Sequence, residues 1–389
     1  MGRGNRLKIA NVRSYTVNAD GPKNLVFVRV ETDDGTYGWG EAYTQTDRDS
    51  AIAAHVERLG HYLIGRSPFN IKHFSLVAYE DFAAKRGAMD FWSALSAIEQ
   101  ALWDIVGKSL GVPVYDLLGG ACRDKIRVYA NGWSDDTETP AEYADAAKQM
   151  VDRGFTALKF DPFPGPWRLY ISRDDEAAAI ETVHAVRDAV GPDIDLLIEV
   201  HRRLAPMHAV RVADAIRDVD PFWFEEPCPA ENVDALAEVR SRTDIPIVAG
   251  ETLYTKAAFR ELFEKRAVDI INPDVCNTGG ILETKEIAAM AEPYYVGVSP
   301  HNYNSVGVAL ASTVHVSACI PNFIITEYWV NFEPVVEDIT VGAPQVEDGY
   351  IPLPDAPGLG VDLDENALER RADISVGNKT IRKYSDEGP

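Results

Sequence analysis

Acidic or imidazole residues close one short apolar run after another in the second half of the chain: Glu199, Glu225, Glu251, Asp274, His301 and Glu327. Their successive separations are 26, 26, 23, 27 and 26 residues. A strand, a helix and two loops take about 25–30 residues, so one βα unit per interval explains the spacing, and no local motif does. The candidate strands are residues 127–130, 157–160, 196–200, 222–224, 247–249, 270–272, 297–300 and 323–326. Eight such units predict a closed (β/α)8-type barrel, with the residues at the strand ends converging on one mouth. An open doubly wound sheet would alternate equally well. However, no glycine-rich phosphate fingerprint follows any of these strands, and the even spacing favours closure.

The flanks read differently. Residues 25–31 alternate and are rich in β-branched side chains, Asp33-Asp34-Gly35 supplies a turn, and residues 37–41 follow, which predicts a hairpin. Residues 94–106 form the clearest amphipathic helix of this region, and Gly119-Gly120 punctuates the passage into the barrel. Beyond Glu327 the chain is strand-like and turn-rich, and is expected to return to the N-terminal sheet. The predicted organisation is an N-terminal capping domain over residues 1–125, a barrel over 126–330, and a C-terminal segment over 331–389 that completes the cap.

Composition narrows the function. The 389 residues carry 38 Lys and Arg against 61 Asp and Glu, a net charge of −23, which argues against a nucleic-acid partner. An anionic small molecule would need a metal or a few placed cations; the acidic excess leaves adaptation to high salt open. Cys122, Cys228, Cys276 and Cys319 are scattered without a CxxC pair and read as thiols in a reducing compartment. The basic start Met1–Arg6 has no apolar run behind it, and no stretch approaches ~18 apolar residues. A cytoplasmic protein without a membrane partner is expected.

Glu199, Glu225 and Glu251 would end three adjacent strands, and three crowded carboxylates call for a cation. Hard oxygen donors suit Mg²⁺ best and Mn²⁺ second. Any one of these residues alone would read as a solvated strand end. Asp274 and His301 end neighbouring strands, an arrangement that fixes the imidazole tautomer and raises its basicity, as a general base requires. His201 lies two residues past Glu199 and would face His301 from the opposite side of the barrel. Lys159 and Asp161 end the second strand, where an ion pair between them and a substrate-binding role weigh equally. Glu327 could donate to or polarise a substrate oxygen. The remaining histidines fall in helical or irregular stretches and are expected to take no part in chemistry.

The chain resembles the enolase superfamily, mandelate racemase subgroup. The motifs are Asp34-Gly35 with Gly38-Trp39-Gly40-Glu41, Ala97-Ile98-Glu99 with Leu102-Trp103-Asp104-Ile105 and Gly107-Lys108, and Leu117-Leu118-Gly119-Gly120. Further along come Phe224-Glu225-Glu226-Pro227, Ala249-Gly250-Glu251, Asn272-Pro273-Asp274 with Gly279-Gly280, His301, Glu327 and Pro357-Gly358-Leu359-Gly360. The resemblance spans essentially the whole chain. It implies an α/β fold, a modified TIM barrel (β/α)7β with an α+β capping domain, three carboxylates on Mg²⁺, and abstraction of a proton α to a carboxylate.

Racemases of the subgroup carry Lys-x-Lys on the second strand. Asp161 stands at the second lysine position here, which speaks against a lysine base. The segment Glu199-Val200-His201-Arg202-Arg203 instead is similar to dehydratases of galactonate, gluconate or mannonate. That likeness implies His301 as the base and His201 as the acid that expels the β-hydroxyl. Glu199 departs from the Asp of many relatives. The leading expectation is a hydro-lyase that converts an aldonate to its 2-keto-3-deoxy acid. A racemase, epimerase or cycloisomerase on the same site is the alternative, and a non-catalytic binding protein the remote one. Specificity is expected in cap loops 17–24 and 82–91, with Lys85 and Arg86 as substrate contacts. A homo-oligomer is expected; the identity of the sugar acid is left open.

Overall fold

The alternating N-terminal runs pair as expected. In the computed structural model, which describes residues 7–21, 23–165, 169–303, 307–372 and 380–384, β1 (Ile9–Asn18), β2 (Asn24–Thr32) and β3 (Tyr37–Ala42) form an antiparallel sheet in that order. The hairpin turn is held by Asp34, whose Oδ1 accepts from Thr32 Oγ1 and Thr36 N at 2.7 and 3.0 Å. The helix Met89–Leu110 packs on this sheet and is longer at both ends than residues 94–106. A Cβ at Gly38 would stand 2.1 Å from the Ala101 carbonyl oxygen, and one at Gly40 1.8 Å from that of Ala97. Strand and helix backbones therefore meet directly, which explains the Gly-Trp-Gly alternation in β3.

Eight parallel strands follow: β4 (Lys125–Asn131), β5 (Ala157–Phe160), β6 (Asp195–Glu199), β7 (Trp223–Glu225), β8 (Ile247–Ala249), β9 (Ile270–Ile271), β10 (Gly297–Val298) and β11 (Thr326–Trp329). Successive strands are neighbours, and β11 returns to pair with β4. The seam between β10 and β11 is closed by one parallel bridge, Val298 with Phe323. This corrects the eighth strand, expected over residues 323–326: Val298 N donates to Asn322 O and Val298 O accepts from Ile324 N, and the ladder with β4 begins only at Thr326. Inside the barrel, Tyr129, Ala157, Leu197, Trp223, Val248, Ile270 and Ile325 form a separate apolar cluster. It makes a floor on which the next inward-pointing residues of each strand stand.

The C-terminal segment divides between two places. β13 (Tyr350–Pro352) pairs antiparallel with the start of β4, so this stretch joins the barrel rather than the N-terminal sheet. β12 (Thr340–Val341) and β14 (Asp362–Leu363) make a small sheet of their own. From this sheet Asp362 accepts from Tyr37 Oη and Trp39 Nε1 at 2.5 and 2.7 Å, and just after it Glu365 accepts from Tyr15 Oη at 2.7 Å, which ties this end to the cap. Among the described residues no helix is long and apolar enough to cross a membrane. The four cysteines are free, and Met1–Arg6 lies outside the described residues.

Buried carboxylates join cap to barrel. Glu99, on the long cap helix, accepts from the amides of Ile281 and Leu282 at 2.7 and 3.0 Å and from Trp103 Nε1 at 2.7 Å. It thereby caps the barrel helix Ile281–Ala291, and Gly280 is required because a Cβ there would lie 2.2 Å from Glu99 Oε2. Burial pushes the Glu99 carboxyl up to about 7 against the pull of these donors. Glu41 accepts from Ala309 N at 3.0 Å, at the start of the wholly buried helix Gly307–Cys319. Glu99→Ala leaves two buried amides and an indole without their acceptor, and is expected to lower the unfolding free energy by about 3 kcal/mol. Urea denaturation measures it; a loss under about 1 kcal/mol would mean that this joint does not hold the cap.

Candidate active site

Period-two alternation lifts a polar layer above the apolar floor: Asn131 above Tyr129, Glu199 above Leu197, Glu225 above Trp223. Glu199 and Glu225 are direct ladder partners, and Glu251 follows β8 by two residues. Glu199, Glu225 and Glu251 each offer a carboxylate oxygen, and these three oxygens lie within 4.8 Å of one another, all buried.

Each acid is held from behind. Glu199 Oε1 accepts from the amides of Val200 and His201 at 3.0 and 2.6 Å. Glu225 takes Lys159 Nζ and Asn272 Nδ2 on Oε1 at 3.0 and 2.8 Å, and Trp223 Nε1 on Oε2 at 2.9 Å. Glu251 Oε1 accepts from Arg202 at 2.5 Å. Glu199 Oε2 and Glu251 Oε2 are buried without a hydrogen-bond partner. Lys159 Nζ approaches the first at 3.4 Å and His301 Nε2 the second at 3.0 Å as ion-pair contacts. Two orphaned carboxylate oxygens beside a third acid are a hard-oxygen donor set that fits a divalent cation.

The surrounding charges follow from burial and like-charge crowding. Burial and the Glu199 carboxylate push Glu225 well above the ordinary range. Burial would raise Glu251 too, but Arg202 and His301 outweigh it and hold that carboxyl well below. Lys159, buried against Glu225 at 3.0 Å and Glu327 at 2.9 Å, does not pair with Asp161. Glu327 accepts on Oε1 from Asn131 Nδ2 at 2.6 Å and on Oε2 from Asn302 N at 2.8 Å. Burial notwithstanding, Lys159 and His301 hold its pKa down to about 2, so it is an ionised acceptor with no proton to give.

Two imidazole–carboxylate pairs reach this layer. His301 Nδ1 lies 2.7 Å from Asp274 Oδ2, whose partner oxygen accepts from Cys276 N at 2.7 Å. That bond turns Nε2 of His301 toward Glu251 and toward Glu327, 3.6 Å away. The second pair is made by Asp161: its Oδ2 binds His201 Nδ1 at 2.5 Å and Arg203 Nη2, while Oδ1 accepts from Phe163 N at 2.9 Å, so both oxygens are engaged. The His201 side chain is 30% exposed against 4% for His301, so only the first borders open solvent. His201 and Arg202 sit at φ 49° and 63°, a left-handed pair that turns both side chains back over the mouth.

The structure does not bring Lys85 and Arg86 into this group. Lys85 lies 3.5 Å from Glu80, and Phe82 and Phe91 pack on each other in the cap core, while residues 84–88 between them form an exposed loop. Met89 alone of that stretch packs against Tyr43 and Cys276. The other cap loop, except for Pro22, which lies outside the described residues, does reach the barrel mouth. Lys23 donates to Thr44 O at 2.9 Å and stands 4.8 Å from the Tyr303 ring. Burial pulls its pKa down to about 7. Tyr43 lies 6.3 Å from the His301 ring. Sequence reasoning gave no role to Arg202, Arg203, Asn131, Asn302 or Tyr43, and included Lys23 only as part of loop 17–24. Of these, Asn131 was detectable as the polar end of the first barrel strand. His208 is held by Glu176 and Arg211, and His315 accepts from Tyr115 N at 3.2 Å; neither binds a carboxylate of the mouth.

Comparison with known proteins agrees with this geometry. Residues 10–119 match the mandelate racemase / muconate lactonizing enzyme N-terminal domain, and residues 142–367 the enolase C-terminal domain-like family. The chain is 37% identical to D-gluconate dehydratase of Thermoproteus tenax, over 92% of this chain and 72% of that protein. It is 36% identical to D-xylonate dehydratase of Haloferax volcanii (91% and 87% covered) and 34% identical to D-galactonate dehydratase of Verminephrobacter eiseniae (98% of each). A solved mandelate racemase/muconate lactonizing enzyme-like protein from Rubrobacter xylanophilus superimposes with a TM-score of 0.86 at 37% identity, over 94% and 97% of the two chains. An enolase superfamily member from Salmonella Typhimurium gives 0.88 at 31%, over 94% and 98%. The chain belongs to the enolase superfamily, in its mandelate racemase / muconate lactonizing enzyme branch.

Proposed function

We propose that the protein is a hydro-lyase of acid sugars, an acid-sugar dehydratase that converts an aldonate of the gluconate, galactonate, mannonate or xylonate kind to its 2-keto-3-deoxy acid. The observation that carries this reading is the pair of unlike histidine dyads, His301–Asp274 and His201–Asp161, beside one three-carboxylate site. His301 Nε2, its other nitrogen bound to Asp274, takes the proton from C2 of the substrate. The electron pair moves onto the carboxylate as an enediolate. His201 gives a proton to the hydroxyl on C3, which leaves as water, and the resulting enol tautomerises to the 2-keto product. Asp161 and Arg203 hold the His201 ring in place; Glu327 and Asn131 hold Lys159 under the substrate carboxylate. Glu199, Glu225 and Glu251 would hold a divalent cation, Mg²⁺ first and Mn²⁺ second, which would supply charge to stabilise the enediolate and to offset the carboxylate field around His301. The dehydratase relatives support the same chemistry.

A screen of an acid-sugar library for 2-keto acid tests the reading; epimer interconversion without keto product would replace it with the racemase alternative. Excess chelator is expected to abolish turnover and added Mg²⁺ to restore it. Full activity in protein verified as metal-free would remove the cation assignment. His301→Asn is expected to lose both dehydration and exchange of the α-hydrogen with D₂O, by about 10²–10⁴-fold. His201→Asn is expected to lose dehydration but keep exchange, because enediolate formation needs no acid. Asp161→Asn should resemble His201→Asn in milder form, about 10–100-fold slower in dehydration with exchange retained. Equal loss of exchange in all three variants would mean that the two dyads do not divide the work.

A further inference from the structure

The hydrogen bonds behind the three acids differ from what charge neutralisation alone would need, and Arg202 is the clearest case. Its guanidinium lies 2.5 Å from Glu251 Oε1 and 3.4 Å from Glu226 Oε2, so it spans the ends of β7 and β8 from the loop after β6. Its own amide donates to the Glu226 carbonyl at 2.7 Å, and Gly250 N fixes Glu226 Oε1 at 2.8 Å. The partner oxygen, Glu251 Oε2, is buried and has His301 Nε2 3.0 Å away, in the same group of three acids. Glu199 repeats the pattern: Oε1 is taken by two backbone amides and Oε2 is left over. A carboxylate whose second oxygen is committed to a strong donor presents one oxygen to a cation.

We propose that Arg202 is a metal-selectivity residue: by occupying Glu251 Oε1 it confines Glu251 to one-oxygen coordination and places a fixed positive charge beside the cation. Mg²⁺ takes a compact octahedron of single oxygens, whereas Ca²⁺ draws its affinity from six to eight oxygens and favours two-oxygen carboxylates. A site held in this way disfavours Ca²⁺ more than Mg²⁺. The like charge also weakens every dication, which keeps the metal exchangeable. Position 202 adopts a left-handed backbone, φ 63°, which glycine satisfies best. An arginine in that place stands against its backbone preference, as a side chain with a task would.

The inference rests on the cation-binding part of the proposed function and not on the identity of the sugar acid. Its test is isothermal titration of metal-stripped protein with Mg²⁺ and, separately, Ca²⁺, without substrate. Arg202→Gly suits the backbone and removes the guanidinium. It is expected to bind Mg²⁺ several-fold more tightly and Ca²⁺ at least tenfold more tightly again, so the preference for Mg²⁺ falls by about tenfold or more. Arg202→Lys keeps a cation against Glu251 and should stay within about threefold of the wild-type preference. It guards against misreading a disturbed loop in the glycine variant. An unchanged Mg²⁺ to Ca²⁺ ratio in Arg202→Gly, or weaker binding of both ions, overturns the inference while the metal site stands. Absence of divalent binding by the wild-type protein would overturn the metal site itself.

Discussion

Like charges packed in a closed space set the terms for this molecule. Glu199, Glu225, Glu226, Glu251, Asp274 and Glu327 are all buried at the mouth of one barrel, above a floor of apolar side chains. Carboxylates so placed repel one another strongly in a medium that screens poorly, and they persist only where positive charge and hydrogen-bond donors are built in. Lys159 lies within 3.4 Å of three of them, and Arg202 joins two more. The cations and donors do not exhaust the carboxylate oxygens, and the two left over define where a further cation belongs. The fold is the means of holding that excess: parallel strands in register put acids side by side that a flexible loop would let drift apart.

The same principle operates away from the chemistry. The motifs that carry the family resemblance in the first third of the chain prove to be joints. Glu41 and Glu99 bind amides of barrel helices, and Asp104 accepts from Trp39 N at 3.1 Å, Leu359 N at 2.8 Å and Lys108 at 2.6 Å. Asp104 thus pins the cap sheet, the cap helix and the Pro357-Gly358-Leu359-Gly360 loop to one side chain. A Cβ at Gly358 would sit 2.2 Å from Asp104 Oδ1, which accounts for the glycine of that loop. Residues that look functional because they are charged within apolar sequence are, here, buried acceptors for backbone amides that packing would otherwise strand.

What could be read in the sequence was what depends on period. The 26-residue recurrence disclosed the barrel, and the strand-end rule located Glu199, Glu225, Glu251, Asp274 and His301, because a parallel barrel forces strand ends together. Features set by two-dimensional neighbourhood were hidden. Asp161 belongs to His201 and Arg203 because the loops after β5 and β6 turn toward each other, which no spacing announces. Phe82 and Phe91 flank an exposed loop, but that their rings stack 6.1 Å apart in the cap core was not announced by the sequence. Lys23 and Tyr43 approach the mouth from the cap, a contact between distant stretches with no periodic signal.

The two dyads share a composition and differ in setting, and that difference bears on direction of chemistry. A racemase asks two bases to exchange protons with one carbon from opposite faces, so comparable surroundings serve it best. Here His301 is enclosed, with Glu251 and Glu327 within 3.6 Å of its Nε2. His201 stands at the open side, and its carboxylate partner is anchored by Arg203, where Asp274 is anchored by the Cys276 amide. An enclosed imidazole among fixed charges suits the removal of a weakly acidic C–H proton, where solvent would compete. An imidazole in contact with water suits repeated delivery of a proton to a departing hydroxyl, since each turnover must reload it. Elimination makes use of unlike histidines; proton exchange across two faces does not need them to differ.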